Sequence, residues 1–288
     1  MTRRLFRILA LIGFCGVSAI PAHAQSELDV LILGDSQIPQ GAGEPYLDFF
    51  SDLSRHCSAN NRQKRLLKKL GQSRTAAIGV RSTSLEAWTA KSGRPKGHIC
   101  DVDKKFGVNA GTYGIQGDKK RKFVQIGQGA DYQFCKANES AFESAFAPGY
   151  YRPKLLVLAF LGNSAERWAN KPEETAEDVR RTLSQIPRDM SCIVLTTAPV
   201  FSKETNQLRV EAQEGIAKAF HQARGHCQVV KGLTPEIRTA IEGQAKFFRR
   251  KSNGKVADPL HPSSAAIKLF LNRNTSKLCD AVFSALKR

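Results

Sequence analysis

The sequence predicts an α/β fold built on a mostly parallel five-stranded sheet. Two observations predict it: five short apolar runs that read as buried strands, and stretches of helical spacing between them. The runs cover 30–33, 76–80, 155–161, 192–197 and 228–230. The first, third and fourth are apolar throughout rather than alternating, which suits strands covered on both faces by crossover helices. Strands alternating with helices give the βαβ order from which parallel sheets are assembled.

The helical patterns follow in order. Residues 46–53 carry apolar side chains at helical spacing, and the pattern continues toward Leu70. The stretch 173–186 repeats Val179, Leu183 and Ile186 at spacings of four and three. Asn170 is the expected N-cap there, and Pro172 suits a first turn. Residues 208–223 place Leu208, Ala212, Ile216, Ala219 and Phe220 on one face. Two further patterns cover 235–248 and 263–286. Residues 91–149 fit less well, being rich in Gly, Lys and aromatics with one strand-like piece at 122–126. They read as a long insertion between the second and third strands, placed to shape a cleft.

The N-terminus carries an export signature. Arg3, Arg4 and Arg7 precede an apolar run over 8–20, and Ala22-His23-Ala24 matches a small-x-small cleavage pattern. Residues 1–24 read as a signal peptide, with the mature chain starting near Gln25; an uncleaved anchor is the alternative. Phe14 before Cys15 is too bulky for a lipoprotein cleavage site. No later run is long enough to span a bilayer. Residues 25–288 then form one domain, since no linker, repeat or low-complexity tract divides them. The expected location is periplasmic or secreted.

The net charge of +18 is concentrated in clusters at 62–69, 119–122 and 247–255. Such clusters attract an acidic polymer or anionic surface, or simply solubilise the chain. No nucleic-acid-binding module is present, and an exported chain rarely meets nucleic acid. Beyond the signal stand Cys57, Cys100, Cys135, Cys192, Cys227 and Cys279. An even count in an exported protein suggests disulfides, with the pairing left open by sequence. No Cys/His spacing suggests a metal site.

In open α/β sheets, ligands sit outside the carboxyl ends of the strands. The chemistry-bearing residues fall there. The first strand runs into Gly34-Asp35-Ser36, where a serine after a flexible glycine can present its hydroxyl and its own amide at the sheet edge. The third runs into Leu161-Gly162-Asn163-Ser164, where an Asn amide can face a developing oxyanion. Before the last helical pattern stands Asp258-Pro259-Leu260-His261-Pro262. A serine nucleophile needs a base, and the base needs an orienting carboxylate; an Asp three residues before a His supplies both. Taken singly, each could be a capping serine, an Asx turn or a surface turn. Their type, order and location together are improbable by chance.

With these residues the sequence resembles the SGNH (GDSL-like) hydrolase family over nearly the whole chain from Val30. The first block matches as Gly34-Asp35-Ser36 and the fifth as Asp258-Pro259-Leu260-His261. The resemblance implies a three-layer α/β/α sandwich with a flavodoxin-like sheet, ester-hydrolysing activity and no cofactor. It implies Ser36 as nucleophile, His261 as general base and Asp258 as its orienting acid. The Ser36 N–H, Ser82 and Asn163 would form the oxyanion hole. Two blocks depart from the family pattern. The third usually reads Gly-x-Asn-Asp, whereas here the glycine directly precedes Asn163 and Ser164 replaces the final Asp. The second usually offers a glycine, for which Ser82 is the natural equivalent and Gly79 or Gly111 are weaker ones.

Asp35, Arg81 and Trp168 are the expected substrate-binding residues, Trp168 and Trp88 being placed to stack on a sugar or to pack loops. His56, His98, His221 and His226 have no evident partner and read as structural or exposed. The expected reaction is hydrolysis of an O-acyl ester, O-acetyl among them, on envelope or extracellular carbohydrate. An acyltransferase using the same triad, or a non-catalytic binder of acidic polysaccharide on the same fold, are the alternatives. Sequence leaves open the acyl group, the alcohol and the oligomeric state.

Overall fold

Every side chain of β1 (Val30–Gly34) is buried. With no polar residue in Val-Leu-Ile-Leu-Gly, the strand is stable only where both faces are covered. A computed structural model describes residues 28–72, 74–91, 110–114, 124–128, 138–148 and 151–287, with backbone alone at 110–114 and 124–128. In it β1 lies at the centre of a sheet with β2 (Thr75–Val80), β3 (Ala110–Gly114), β4 (Val124–Gln128), β5 (Leu155–Ala159), β6 (Ser191–Leu195) and β7 (Cys227–Val230). The order is β4-β3-β2-β1-β5-β6-β7. The five predicted strands are all present, mutually parallel and in the flavodoxin order. The 91–149 stretch adds two antiparallel strands at the β2 edge, of which the sequence had suggested only the second. The signal region, and the parts of 91–149 not named above, lie outside the described residues.

Side-chain alternation along β1 sorts the core into two layers. Val30 and Ile32 face a cluster built with α1 (Gly43–Ser51), α2 (Leu53–His56), α3 (Asn61–Leu70), α9 (Pro235–Ile241), α10 (Ser264–Arg273) and α11 (Thr275–Leu286). Leu31 and Leu33 face a second cluster built with α4 (Leu85–Thr89), α5 (Ala141–Ala145), α6 (Ala165–Asn170), α7 (Pro172–Gln185) and α8 (Lys203–Gln222). The result is a three-layer α/β/α sandwich. Each fully buried Leu or Ile contributes about 1.5–3 kcal/mol of transfer free energy.

Several helical boundaries differ from the sequence expectation, and each difference has a local cause. The pattern over 46–70 is three helices because Asp52 and Asn60 bond to the backbone instead of continuing it. The Asp52 carboxylate accepts from Arg55 N, and Asn60 forms a capping box with Gln63. Helix α7 starts after Lys171, with Pro172 in its first turn, while Asn170 belongs to the end of α6 and donates to Glu166. The 235–248 pattern stops at Ile241 and passes Gly243, which takes φ +71°. It then gives the short strand β8 (Phe248–Arg250). The 263–286 pattern breaks at Asn274 into α10 and α11. Between β8 and α10 runs β9 (Val256–Pro262), antiparallel to β8 in a two-stranded ribbon separate from the main sheet.

Two disulfides form among the described residues. Cys57–Cys279 ties the end of α2 to α11 across 222 residues of sequence, and Cys192–Cys227 links β6 to its neighbour β7. Closing loops of this size stabilises a fold by about 2–5 kcal/mol. Cys100 and Cys135 lie outside the described residues. Among the described residues no helix is long and apolar enough to cross a membrane.

Candidate active site

The connections from β1 and from β5 lead to opposite sides of the sheet, which opens a crevice between these two neighbouring strands at their carboxyl ends. The turn Asp35-Ser36-Gln37 leaves β1 there. Its shape is set by Asp35, whose carboxylate accepts from Gln37 N at 2.9 Å. The Leu161 amide after β5 also favours the charged form of this carboxylate, so the two sides of the crevice meet at Asp35. The Ser36 N–H donates to no other group among the described residues.

His261 arrives from the β8–β9 ribbon. The ribbon is pinned to the body by Phe201, whose N–H donates to Pro259 O at 2.8 Å and whose ring meets Phe248 edge-on at 5.4 Å. A second lock joins the two halves of the site directly. Gly41, at φ +132°, packs so closely on the ribbon that a Cβ there would stand 2.8 Å from Pro262 O. Next to it, Ser264 Oγ donates to Gly41 O at 3.0 Å.

These contacts bring Ser36, His261 and Asp258 together, 225 residues apart at the widest. Ser36 Oγ lies 2.9 Å from His261 Nε2. His261 Nδ1 lies 2.9 and 3.0 Å from the two Asp258 oxygens. Asp258 Oδ1 also accepts the main-chain amides of Leu260 and His261, each at 3.2 Å, so the Asp-Pro-Leu-His turn fixes acid and base as one unit. Burial pushes the Asp258 carboxyl up, but the hydrogen bond and charge of His261 outweigh it and hold the carboxyl below its ordinary value. The anionic form that would orient the imidazole is therefore favoured.

Ser36 and His261 open into a cavity of about 240 Å³ that Ser82, Asn163 and Arg81 also line. Asn163 Nδ2 donates one hydrogen to Thr83 O at 2.7 Å. This bond bridges the loops after β5 and β2, and an amide nitrogen retains a second hydrogen for the cavity. Ser82 sits in the left-handed region at φ +59°, the conformation a glycine adopts without strain. Gly79 lies within β2, where a Cβ would stand 2.3 Å from Ile38 Cβ; Gly111 pairs with it in β3.

One expected substrate-binding residue, Trp168, is placed elsewhere by the structure. Trp168 is buried and donates its indole N–H to Asp178 at 3.1 Å. Arg167 grips the same carboxylate, so Trp168 is a packing residue joining α6 to α7. Asp35 lines the cavity, and its carboxylate shapes the turn by accepting the Gln37 amide. Trp88 is likewise buried, against Phe142 and Phe160. Of the histidines without an expected role, His56 stacks on Phe49 at 4.8 Å, His221 is exposed, and His98 lies outside the described residues.

Arg209 is the feature that sequence reading missed. It lies on the buried face of α8 and lines the cavity floor beneath Gly162, 2 % exposed. Its Nη2 donates to Thr197 Oγ1 at 3.0 Å and to Ala198 O at 2.7 Å, while its Nε has no partner among the described residues. Burial lowers its pKa to about 10, against the opposing pull of Asp35 and Tyr46. The neighbouring Asp35 carboxyl is pushed up by burial, with the Gln37 amide and Arg209 opposing. A charge on the apolar stripe was the available signal, since arginine is almost never fully buried without a role.

The three basic clusters separate in space. The 62–69 cluster lies on α3, whose carboxyl end meets Lys154 and Asp29 at the opposite edge of the sheet. The 119–122 cluster lies outside the described residues. The 247–255 cluster is on the ribbon that carries Asp258 and His261. Among the described residues no three His, Cys, Asp or Glu side chains gather as a metal site.

No protein-family model matches the chain, and no curated protein matches it. Among solved structures it is similar to a DUF4886 family protein from Bacteroides uniformis ATCC 8492. Identity is 11%, with 90% of this chain and 93% of that one covered and a TM-score of 0.43. It is also similar to a protein described as a peptidoglycan O-acetylesterase, at 12% identity, 91% and 93% coverage and a TM-score of 0.43. Likenesses this remote carry no functional assignment, which rests instead on the chain's own site.

Proposed function

We propose that this protein is an exported serine esterase of the SGNH type that hydrolyses a short O-acyl ester on carbohydrate. The observation that carries the reading is the continuous path from Ser36 Oγ through His261 to Asp258, with both gaps at hydrogen-bond distance. A non-catalytic binder on the same fold would have no need to hold this geometry.

In this reading His261 Nε2 takes the Ser36 hydroxyl proton as Oγ attacks the acyl carbon. Asp258 keeps the other ring nitrogen protonated and stabilises the imidazolium. The carbonyl oxygen, now an anion, takes hydrogen bonds from the Ser36 N–H, the Ser82 main chain and the free Asn163 amide hydrogen. One such donor typically contributes about 10²–10³ in rate. Collapse expels the alcohol, which leaves with the proton from His261. Water then attacks the acyl-serine with His261 as base, releasing acid and restoring Ser36. A cavity of about 240 Å³ suits an acetyl-sized group better than a long chain. The two disulfides favour an oxidising compartment, in line with the export signature.

Hydrolysis of p-nitrophenyl acetate by wild type and by Ser36→Ala tests the proposal. The expected result is a loss of about 10³-fold or more in the variant with unchanged thermal unfolding. Equal rates in the two proteins would remove Ser36 from the chemistry.

A further inference from the structure

We infer that the β8–β9 ribbon is a polyanion-reading surface, and that the ester is carried on a carboxylate-bearing polysaccharide. The inference rests on the esterase reading above and adds the class of polymer. Between Glu242 and Asp258 the sequence has five cations, Lys246, Arg249, Arg250, Lys251 and Lys255, and no acid. All five are exposed. Arg249, 75% exposed, stands 3.9 Å from Asp258. The other four make no ion pair among the described residues.

The ribbon holds these charges in place. Its base is pinned by the Phe201–Phe248 contact, and its tip is a closed turn. Lys251 N donates to Lys255 O at 2.8 Å, Gly254 N donates to Lys251 O at 3.0 Å, and Gly254 takes φ +80°. A preorganised cationic arm loses little freedom when it binds.

Its position decides what the charge can do. Lys255 stands three residues along an extended strand from Asp258, or about 10 Å. That is about one Debye length at physiological salt, so a polymer held at the tip is still felt at the catalytic pair. The carboxyl end of α3, with Lys68 and Lys69, lies at the amino ends of the strands, at least about 16 Å away along β1 alone, beyond effective screening distance. Charge next to the chemistry therefore selects substrate, and charge on α3 does not.

The cavity indicates which polyanion fits. Its polar lining includes Gln37, Gln40, Ser82, Asn163 and Thr205, donors and acceptors suited to a hydroxylated chain. At its mouth Leu260 is 53% exposed, the one large apolar side chain exposed among the described residues. A single exposed leucine is a poor membrane-inserting surface, whereas it can lie against the C–H face of a sugar ring.

The test measures acetate release from O-acetylated polygalacturonate and from neutral O-acetylated glucomannan, at about 20 mM and about 300 mM salt. For the anionic polymer kcat/KM should fall about tenfold or more across this range, and for glucomannan by less than about twofold. The variant R250Q/K251Q/K255Q should lower the anionic-over-neutral ratio about tenfold. In parallel, Ser36→Ala protein, with and without the three ribbon substitutions, is titrated with polygalacturonate and with phosphatidylglycerol vesicles. Polymer binding that the ribbon substitutions abolish supports the inference. Equal salt slopes, an unchanged ratio, or binding to vesicles but not to polymer overturns it. If wild type hydrolyses none of these esters, nor p-nitrophenyl acetate, the esterase reading fails. The binding titration then decides the ribbon alone: polymer binding unaffected by the three substitutions overturns it.

Discussion

Gly41 and Pro262 meet backbone to backbone, and their contact sets the distance between nucleophile and base. Gly41 follows Ser36 by five residues and Pro262 directly follows His261. A Cβ at Gly41 would stand 2.8 Å from Pro262 O, closer than real Cβ atoms approach. Gly41→Ala is expected to part the ribbon from the Ser36 turn, and it also forces a side chain into φ +132°. The prediction is a loss of esterase activity of about 10²-fold or more, with secondary structure retained by circular dichroism. Wild-type activity in the alanine variant would show that the contact is not what positions His261.

Arg209 supports the loop after β6 and offsets the buried Asp35. Removing the guanidinium leaves the buried Thr197 and Ala198 acceptors without their donor, a change that costs about 1–3 kcal/mol, and withdraws a charge that favours the Asp35 carboxylate. Arg209→Met is expected to lower the urea midpoint accordingly. Arg209→Lys should recover little, because an ammonium is more strongly hydrated than a guanidinium and resists burial more. Full stability in Arg209→Met would mean that the buried charge is dispensable.

Ser82 holds a left-handed backbone at the cavity rim. The expected order of thermal stability is Ser82→Gly at or above wild type, then wild type, then Ser82→Val. A β-branched residue at positive φ costs about 1–2 kcal/mol more than glycine. A valine variant as stable as the glycine variant would rule out the strain.

Asp29 clamps the amino ends of β1, β2 and β5. Its carboxylate meets Lys154 Nζ at 3.0 Å and Arg74 Nη2 at 3.3 Å. Burial pushes this carboxyl up, but Lys154 and Arg74 outweigh it, and its pKa in the folded protein lies below the ordinary value. The unfolded chain therefore binds the proton more tightly. The clamp stabilises fully above the unfolded value of about 4, and its contribution is lost as pH falls through the folded value. Wild type should be more stable than Asp29→Asn at neutral pH, and the gap should narrow as pH falls below about 4. A gap that stays constant or widens on acidification would contradict this.

The sequence discloses the parts of the fold whose physics is local. Val30 to Leu33 is apolar throughout, so it can only be a doubly covered strand, and the strand-end rule then locates Ser36 and Asn163. Asp258 and His261 are legible as a pair because they are three residues apart. The ribbon beneath them is not legible. Phe248–Arg250 is short, charged and followed by an Asn-Gly turn, and Pro259 and Pro262 interrupt β9, so no alternation betrays it. It is held by Phe201 and Gly41, both distant in sequence. Arg209 was passed over for the opposite reason: the sequence shows a charge on the apolar stripe, but only packing shows that it is buried against Thr197 and Ala198. Trp168 was misassigned because its partner Asp178 lies on the next helix, and their hydrogen bond cannot be read from spacing.

The most direct measurement is covalent labelling of the folded protein with a fluorophosphonate probe, followed by peptide mass spectrometry. If Ser36 is activated by His261, its Oγ displaces fluoride and carries the phosphonyl group. The adduct should then map to Ser36 alone, and labelling should slow about 10³-fold or more in His261→Ala. No adduct on folded wild type, or labelling of Ser36 at the same rate without His261, would contradict the account.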